Sequence, residues 1–326
     1  MRKLLLFLIC LSLSVSFLSC STDVDIYAEY KDISIVYGMI EPESDTTWIK
    51  VTKAFLGPGN ALLIAQNPDS SQYSPLPKVI LKAVKNGVDQ ADIVLDTITI
   101  NNKLAGDSIF YFPQQTLFYT TKPIDPTAVY TLVIEKENGQ TVQSTTPVVQ
   151  NFGITFPTNR INFQSTTTSQ IRWVSAVNGK RYETKLQFHY KELLPGNPDT
   201  LNKIMTWNLD MQKSVTTKGG ETIEVIYTGE EFYQRLGNQL ENILNVKRWA
   251  GPVDVIVACG ADELSTYIDV NTPTNSIIQQ LPEYTNIENG NGIFSSRRTI
   301  VKRFPLTVGS ELKLVEDYNW GFVVNR

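Results

Sequence analysis

Between residues 182 and 191 every second side chain changes character. Tyr182, Thr184, Leu186, Phe188 and Tyr190 share one parity, while Glu183, Lys185, Gln187, His189 and Lys191 share the other. Successive side chains of a strand point to opposite faces, so this run fits a strand with one side on a core and one in water, and fits no helix. Similar short runs rich in aromatic and β-branched residues recur along the chain, with Asn, Gly, Pro and Asp between them. Strands are expected at 33–39, 48–53, 79–84, 93–100, 109–112, 117–121, 129–134 and 141–146, then at 171–173, 182–190, 253–259, 299–304, 312–315 and 322–324.

Turn chemistry divides these runs. Asn138-Gly139 predicts a two-residue hairpin turn, Asn178-Gly179 another turn, and Asn289-Gly290-Asn291-Gly292 a tight turn ahead of Ile293-Phe294. In the first strand Ile33, Ile35, Tyr37 and Met39 share one face, and Asn60 can cap a single helical turn over 61–66. Residues 147–153 read as a junction. The fold class that follows is mainly β, with two antiparallel β-sandwich domains at 32–147 and 153–326. Trp173, with Tyr182 opening the next long strand, resembles the core pair of immunoglobulin/fibronectin type III-like sandwiches. One helix interrupts the second domain near 229–245. Thr228-Gly229-Glu230-Glu231 fits a capping box, and Phe232, Leu236, Leu240 and Ile243 form one apolar stripe.

The N-terminus carries a different signal. Arg2 and Lys3 precede a nearly continuous apolar run over 4–18, which at about 15 residues is short for a membrane span and has the layout of a secretory signal peptide. Ser19-Cys20 behind Phe17-Leu18 resembles the lipobox of bacterial lipoproteins, with Phe17 where Leu is usual. The resemblance implies a signal peptide over 1–20, cleavage before Cys20, acylation of that cysteine with palmitate-type chains, and a tether over 21–31. Ser21 resembles the outer-membrane sorting pattern, and Asp23 with Asp25 resembles an export signal for the cell surface. Buried acyl methylenes contribute about 0.8 kcal/mol each, so several chains on Cys20 would hold the protein on a membrane.

Composition narrows the partners. The chain has 29 basic and 33 acidic residues, and loss of Arg2 and Lys3 with the leader moves its net charge from −4 to about −6. Nucleic acid is therefore an unfavourable partner. Of Cys10, Cys20 and Cys259, only Cys259 would remain as a free thiol, which leaves no intrachain disulfide. The roughly 306 residues after the leader suffice for two ordinary cores.

Val36-Tyr37-Gly38, Lys53-Ala54-Phe55-Leu56-Gly57 and Asn289-Gly290-Asn291-Gly292-Ile293-Phe294-Ser295-Ser296 resemble the domain of unknown function 4249 (DUF4249) family over nearly the whole mature chain. That resemblance implies an envelope lipoprotein working beside outer-membrane import or polymer-utilisation machinery, and it supplies no catalytic residues.

Residues with chemistry are few. His189, the only histidine, falls on the wet face of its strand, so any Ser-His-Asp or Cys-His pair would need it, and a multi-histidine zinc site is excluded. Cys259 shares parity with Val253, Val255 and Val257 and reads as a small buried hydrophobe. Asp262-Glu263 is the best local candidate for paired carboxylates, against a plain reading as a helix N-terminus. No EF-hand or phosphate loop is present, and no cofactor or metal is expected. Phe110-Tyr111-Phe112 and Phe118-Tyr119 place rings on both faces of neighbouring strands, so they are the candidate binding residues, with core and interdomain packing as the alternative. The expected function is a lipid-anchored, non-enzymatic binding or accessory protein of the outer membrane, with an outer-membrane transporter as the expected protein partner. The alternatives are a surface hydrolase using paired carboxylates and a structural or adhesion module.

Overall fold

The computed structural model describes residues 32–54, 60–102, 111, 113–164, 168–272 and 283–324. In chain order its strands are β1 (Ser34–Ile40), β2 (Thr47–Lys53), β3 (Lys78–Lys85), β4 (Val88–Asp89), β5 (Ile93–Val94), β6 (Asp96–Ile100), β7 (Gln115–Thr120), β8 (Val129–Glu135) and β9 (Thr141–Pro147). After these come β10 (Ile154–Phe156), β11 (Thr168–Val174), β12 (Arg181–Leu193), β13 (Leu201–Asn208), β14 (Gln212–Lys213), β15 (Thr222–Thr228), β16 (Lys247–Gly260), β17 (Gly290–Phe304) and β18 (Phe322–Val323). The helices are α1 (Ala61–Ala65), α2 (Pro68–Ser71), α3 (Gly229–Gln239), α4 (Asp262–Asn271) and α5 (Val308–Glu316).

The fold is mainly β. One ten-stranded sheet runs in the order β13-β12-β16-β17-β1-β2-β7-β6, with β14 added to β12 and β18 to β16. A five-stranded sheet (β4-β3-β8-β9, with β5 on β3) shares an apolar core with the β1-β2-β7 arm. A three-stranded sheet (β10-β11-β15) shares a second core with the β12-β16 arm, joined by Phe232, Tyr233 and Leu236 of α3 and Leu314 of α5. The second core holds Trp173 and Tyr182 with ring centroids 5.7 Å apart, and the Tyr182 hydroxyl accepts from Ala176 N–H at 2.7 Å.

Two self-contained antiparallel sandwiches were expected, whereas the large sheet is common to both cores. β17 is the reason. Its first half runs parallel to β1, from Ser34↔Gly290 to Ile40↔Ser296, and its second half runs antiparallel to β16, from Gly260↔Arg297 to Val253↔Phe304. Alternation within a strand carries no information about a partner about 250 residues away, so this pairing is invisible to local pattern. The chain passes from one core to the other at Val148-Val149, both fully buried. Ser296 of β17 pins that crossing, accepting from Val149 N–H (3.1 Å) and donating to the Pro147 carbonyl (2.7 Å).

The Asn289–Gly292 segment, expected as a tight turn, mostly serves this pairing. Asn289 alone turns, with φ +59°, and Gly290 to Gly292 already lie in β17. A Cβ on Gly292 would stand 2.0 Å from the Val36 carbonyl oxygen, at φ +111°. Only glycine lets the two backbones approach so closely.

Other local readings also shift. Residues 93–100 split into β5 on β3 and β6 on β7, so the chain changes sheets at Leu95. The predicted strand at 312–315 lies in α5, because Thr307 accepts from Ser310 N–H as an N-cap and a short apolar run does not distinguish strand from helix. The capping box of α3 forms as Thr228 and Glu231 dictate, but the helix ends at Gln239, short of 245. At Asn138-Gly139 only Gly139 has positive φ (+79°), with Gly139 N–H donating to the Lys136 carbonyl, so the turn is wider than a two-residue one. Asn86 and Gly87 both adopt positive φ and form the tight hairpin between β3 and β4. The Asn60 cap over α1 forms as read.

Gly292→Ala should therefore lower the unfolding free energy by about 3 kcal/mol, from the clash with Val36 and the strained φ. Gly153→Ala, where a Cβ meets nothing within 4 Å, should change it by less than about 0.5 kcal/mol. Chemical denaturation of the two variants checks this.

Candidate functional site

Strands β1, β2 and β7 bury one face and, among the described residues, leave much of the other open. Val36, Ile40, Ile49, Val51 and Phe118 fill the first core. The opposite parity carries Met39, Trp48 and Tyr119, aligned across three strands by Met39↔Trp48 and Trp48↔Tyr119. The Trp48 and Tyr119 rings lie 5.3 Å apart with a 32° tilt. In the next row Tyr37 pairs with Lys50. Tyr37 and Trp48 are 46 % and 44 % exposed, which is unusual for rings on a solvent face that polar residues would ordinarily occupy. Tyr267 of α4 borders the strip: burial, then the Tyr37 hydroxyl beside it, pushes its phenol up to about 12.

One end of this face deepens into a cleft of about 490 Å³. Its floor is the outward row Ile35, Tyr37, Lys50 and Thr52, and its walls include Gln72, Tyr73, Tyr111, Gln114 and Gln115. Tyr73 is fixed by its hydroxyl, which donates to Asp32 Oδ1 (2.9 Å) and lies 2.7 Å from Ser34 Oγ. Asp32 in turn pairs with Lys136 at 3.2 Å, a lysine whose side chain is 4 % exposed. Lys50 Nζ donates to Gln115 Oε1 at 3.1 Å, and Tyr111 N–H donates to the Ala65 carbonyl, tying the wall to α1. A cleft of this size, with apolar rings and a few fixed polar groups, suits a small ligand or one unit of a polymer.

Of the residues singled out from sequence, Cys20, Phe110 and Phe112 lie outside the described residues. Tyr111 lines the cleft and Tyr119 lies on the aromatic strip. Phe118 is corrected: it is 1 % exposed, inside the first core, because its parity is that of Ile49 opposite. Tyr37, Trp48 and Tyr73 went unrecognised as site residues. For the first two a signal existed, since the aromatic positions of 33–39 and 48–53 are out of phase with Val36, Ile40, Ile49 and Val51.

The remaining candidates do not converge. His189 is on the wetter face, as its parity requires, and its Nε2 meets Asp254 Oδ2 at 2.8 Å. Arg303 grips the same carboxylate through Nε (2.6 Å) and Nη2 (2.7 Å), so Arg303 first and His189 second hold Asp254 below the usual carboxylate range against the cost of burial. The imidazole is engaged by an ion-paired carboxylate, which orients it. Cys259 is fully buried and its thiol is pushed up to about 12 by desolvation. Such a thiol is unreactive. Asp262 and Glu263 open α4. Asp262 is exposed, while Glu263 turns inward with Oε2 3.5 Å from both Thr146 Oγ1 and Ser295 Oγ. Among the described residues no group of three or more His, Cys, Asp and Glu side chains is placed to hold a metal ion.

No family model matches the chain, and no curated protein matches it. Among solved structures it is similar to the C-terminal globular domain of an oligosaccharyltransferase from Pyrococcus abyssi, at 12 % identity and a TM-score of 0.23, over 70 % of this chain and 47 % of that one. A likeness at that score bears on neither fold nor chemistry.

Burial raises the Glu263 carboxyl above its ordinary 4.5, with the neighbouring Asp262 charge adding to the rise. The folded state therefore holds that proton more tightly than the unfolded state. The stabilising contribution is complete below about pH 4.5 and is lost as pH rises through the folded value. Glu263→Gln should remove this loss, so the variant should gain stability over the parent as pH rises from 4.5 to 7. Thermal unfolding across that range measures the difference.

Proposed function

We propose that the protein is a lipid-anchored binding or accessory protein of the outer membrane, exposed at the cell surface and working beside an outer-membrane import system. Cys20 carries the anchor, and the Tyr37–Trp48–Tyr119 face with its adjoining cleft carries the binding. The charged start at Arg2-Lys3, the apolar run over 4–18 and the Ser19-Cys20 junction support the anchor. Among the described residues no helix is long and apolar enough to cross a membrane.

The observation that carries the binding assignment is the uncovered aromatic strip. Burying Trp48 and Tyr37 against a partner gains the apolar area that the fold leaves in water, and flat rings stack on sugar rings or pack against a protein surface at low entropic cost. A hydrolase using Asp262 and Glu263 is disfavoured by their geometry: one carboxyl faces solvent and the other lies against Thr146 and Ser295, whereas paired catalytic carboxyls face each other across a substrate.

Cys20→Ala should move the protein from the membrane to the soluble fraction of fractionated cells, and unchanged membrane association would count against the anchor. Trp48→Ala and Tyr119→Ala should each weaken retention of the full chain on immobilised extracellular polysaccharide about tenfold, roughly the loss of one stacked ring at 1–1.5 kcal/mol. Retention equal to the parent would remove the aromatic face from the binding account.

A further inference from the structure

The row of outward side chains that carries the aromatic strip does not end at Tyr119. It continues onto β6, where Asp96 pairs directly with Tyr119, so Met39, Trp48, Tyr119 and Asp96 lie in line across four strands. Opposed residues of an antiparallel pair share a face, with Cβ atoms about 5 Å apart, which sets the carboxylate beside the Tyr119 ring. Asp96 is exposed, and among the described residues it takes part in no salt bridge and accepts no hydrogen bond from a side chain. We propose that this row is a platform for an extended, uncharged chain of β-linked pyranose units, with sugar C–H faces on Trp48 and Tyr119 and a sugar hydroxyl donating to Asp96. This rests on the binding assignment made above, names its ligand class and makes Asp96 the residue that sets specificity.

Shape and charge both select this chemistry. Four strands about 4.8 Å apart carry the row over roughly 14 Å, more than one sugar ring covers, so the fitting occupant is a chain. Trp48 and Tyr119 stand side by side, 5.3 Å apart with a 32° tilt. They make an open plane instead of the enclosing walls that hold a single cation, and a plane suits the flat C–H face of a pyranose. A carboxylate covered by an occupant must be given hydrogen-bond donors, or its desolvation goes uncompensated. Sugar hydroxyls supply these donors next to apolar C–H faces within one molecule. A uronate or phosphate would instead bring a second anion against Asp96, on a chain whose net charge is already −4. A basic segment meets the opposite obstacle, since the next row along β2 holds Lys50, whose ammonium donates to Gln115. Each ion repels its own sign, and a neutral ligand rich in hydroxyls is repelled by neither.

The test is isothermal titration of the full chain in detergent at about 0.15 M salt, where charges beyond the site are largely screened. The titrants are cellohexaose, the β-1,4-glucuronate hexamer and hexalysine. The two sugars share a backbone and differ in charge; the peptide carries the opposite charge and no ring. The proposal expects cellohexaose to bind and the glucuronate to bind at least about tenfold more weakly. Asp96→Asn should bring the two sugars within about threefold of each other by removing the charge, and Tyr119→Ala should weaken cellohexaose about tenfold, with circular dichroism confirming the fold of each variant. Equal affinity of the parent for the two sugars, or a gap that survives Asp96→Asn, overturns the specificity assigned to Asp96 while leaving a sugar-binding face standing. Hexalysine binding that Tyr119→Ala weakens, with no binding of cellohexaose, overturns the proposal in favour of a basic peptide. No binding of any of the three overturns it as well, and the polysaccharide retention of the Trp48 and Tyr119 variants then shows separately whether the binding face itself fails.

Discussion

Everything in this molecule hangs on one strand having two partners. β17 pairs with β1, the first strand of the chain, on one side and with the long β16 on the other, and it changes partner at Ser296-Arg297. A parallel partner so distant in sequence is entropically expensive to close, though the cost grows only logarithmically with loop length. What offsets it is burial along the strand: Ile293, Phe294, Ser295 and Ser296 are all buried where β17 meets β1, and Phe304 is buried where it meets β16. At the change of partner Ser296 also holds the peptide that passes between the two cores. The sheet, the crossing and both cores thus share a few residues of one strand.

That arrangement explains why the outer face of β1 and β2 is a rigid platform. Their inward side chains, Val36, Ile40, Ile49 and Val51, are each buried in the first core, and burial of such a side chain contributes about 1.5–3 kcal/mol. With β17 on one flank of β1 and β7 beside Thr47–Ile49 of β2, the backbone that carries the outward rings is hydrogen-bonded from both sides. Trp48, Tyr119 and Tyr37 therefore project from a fixed backbone, with the Trp48 and Tyr119 rings in contact, which would lower the entropic cost of the proposed binding. Fixing the Tyr73 hydroxyl between Asp32 and Ser34 extends the same preorganisation to the wall of the cleft.

Much of this was legible from residue order, and the remainder has physical reasons for being hidden. Alternation over 182–191 fixed which residues of β12 face the core, and Thr228 with Glu231 announced the start of α3, because both are local signals. Cys259 follows its valine neighbours into the core for the same reason. Pairing across about 250 residues leaves no local trace, so the shared sheet could not be read, even though Val36-Tyr37-Gly38 and the segment from Asn289 lie side by side. Gly38 faces Phe294 there, where a Cβ would approach its ring to 2.9 Å. The aromatic face was only half legible. Tyr111 and Tyr119 stood out as clustered rings, but Phe118 in the same run belongs to the core, and Trp48 and Tyr37 become a surface only once their strands are adjacent.

If one strand truly unites the two cores, they unfold together. Native-state hydrogen exchange at increasing denaturant reads this directly, by comparing the opening free energy of β8 and β9 in the first core with that of β11 and β15 in the second. The account predicts that the most protected amides of both converge on a single global value. Separate limiting values, with one core opening while the other stays closed, would contradict it.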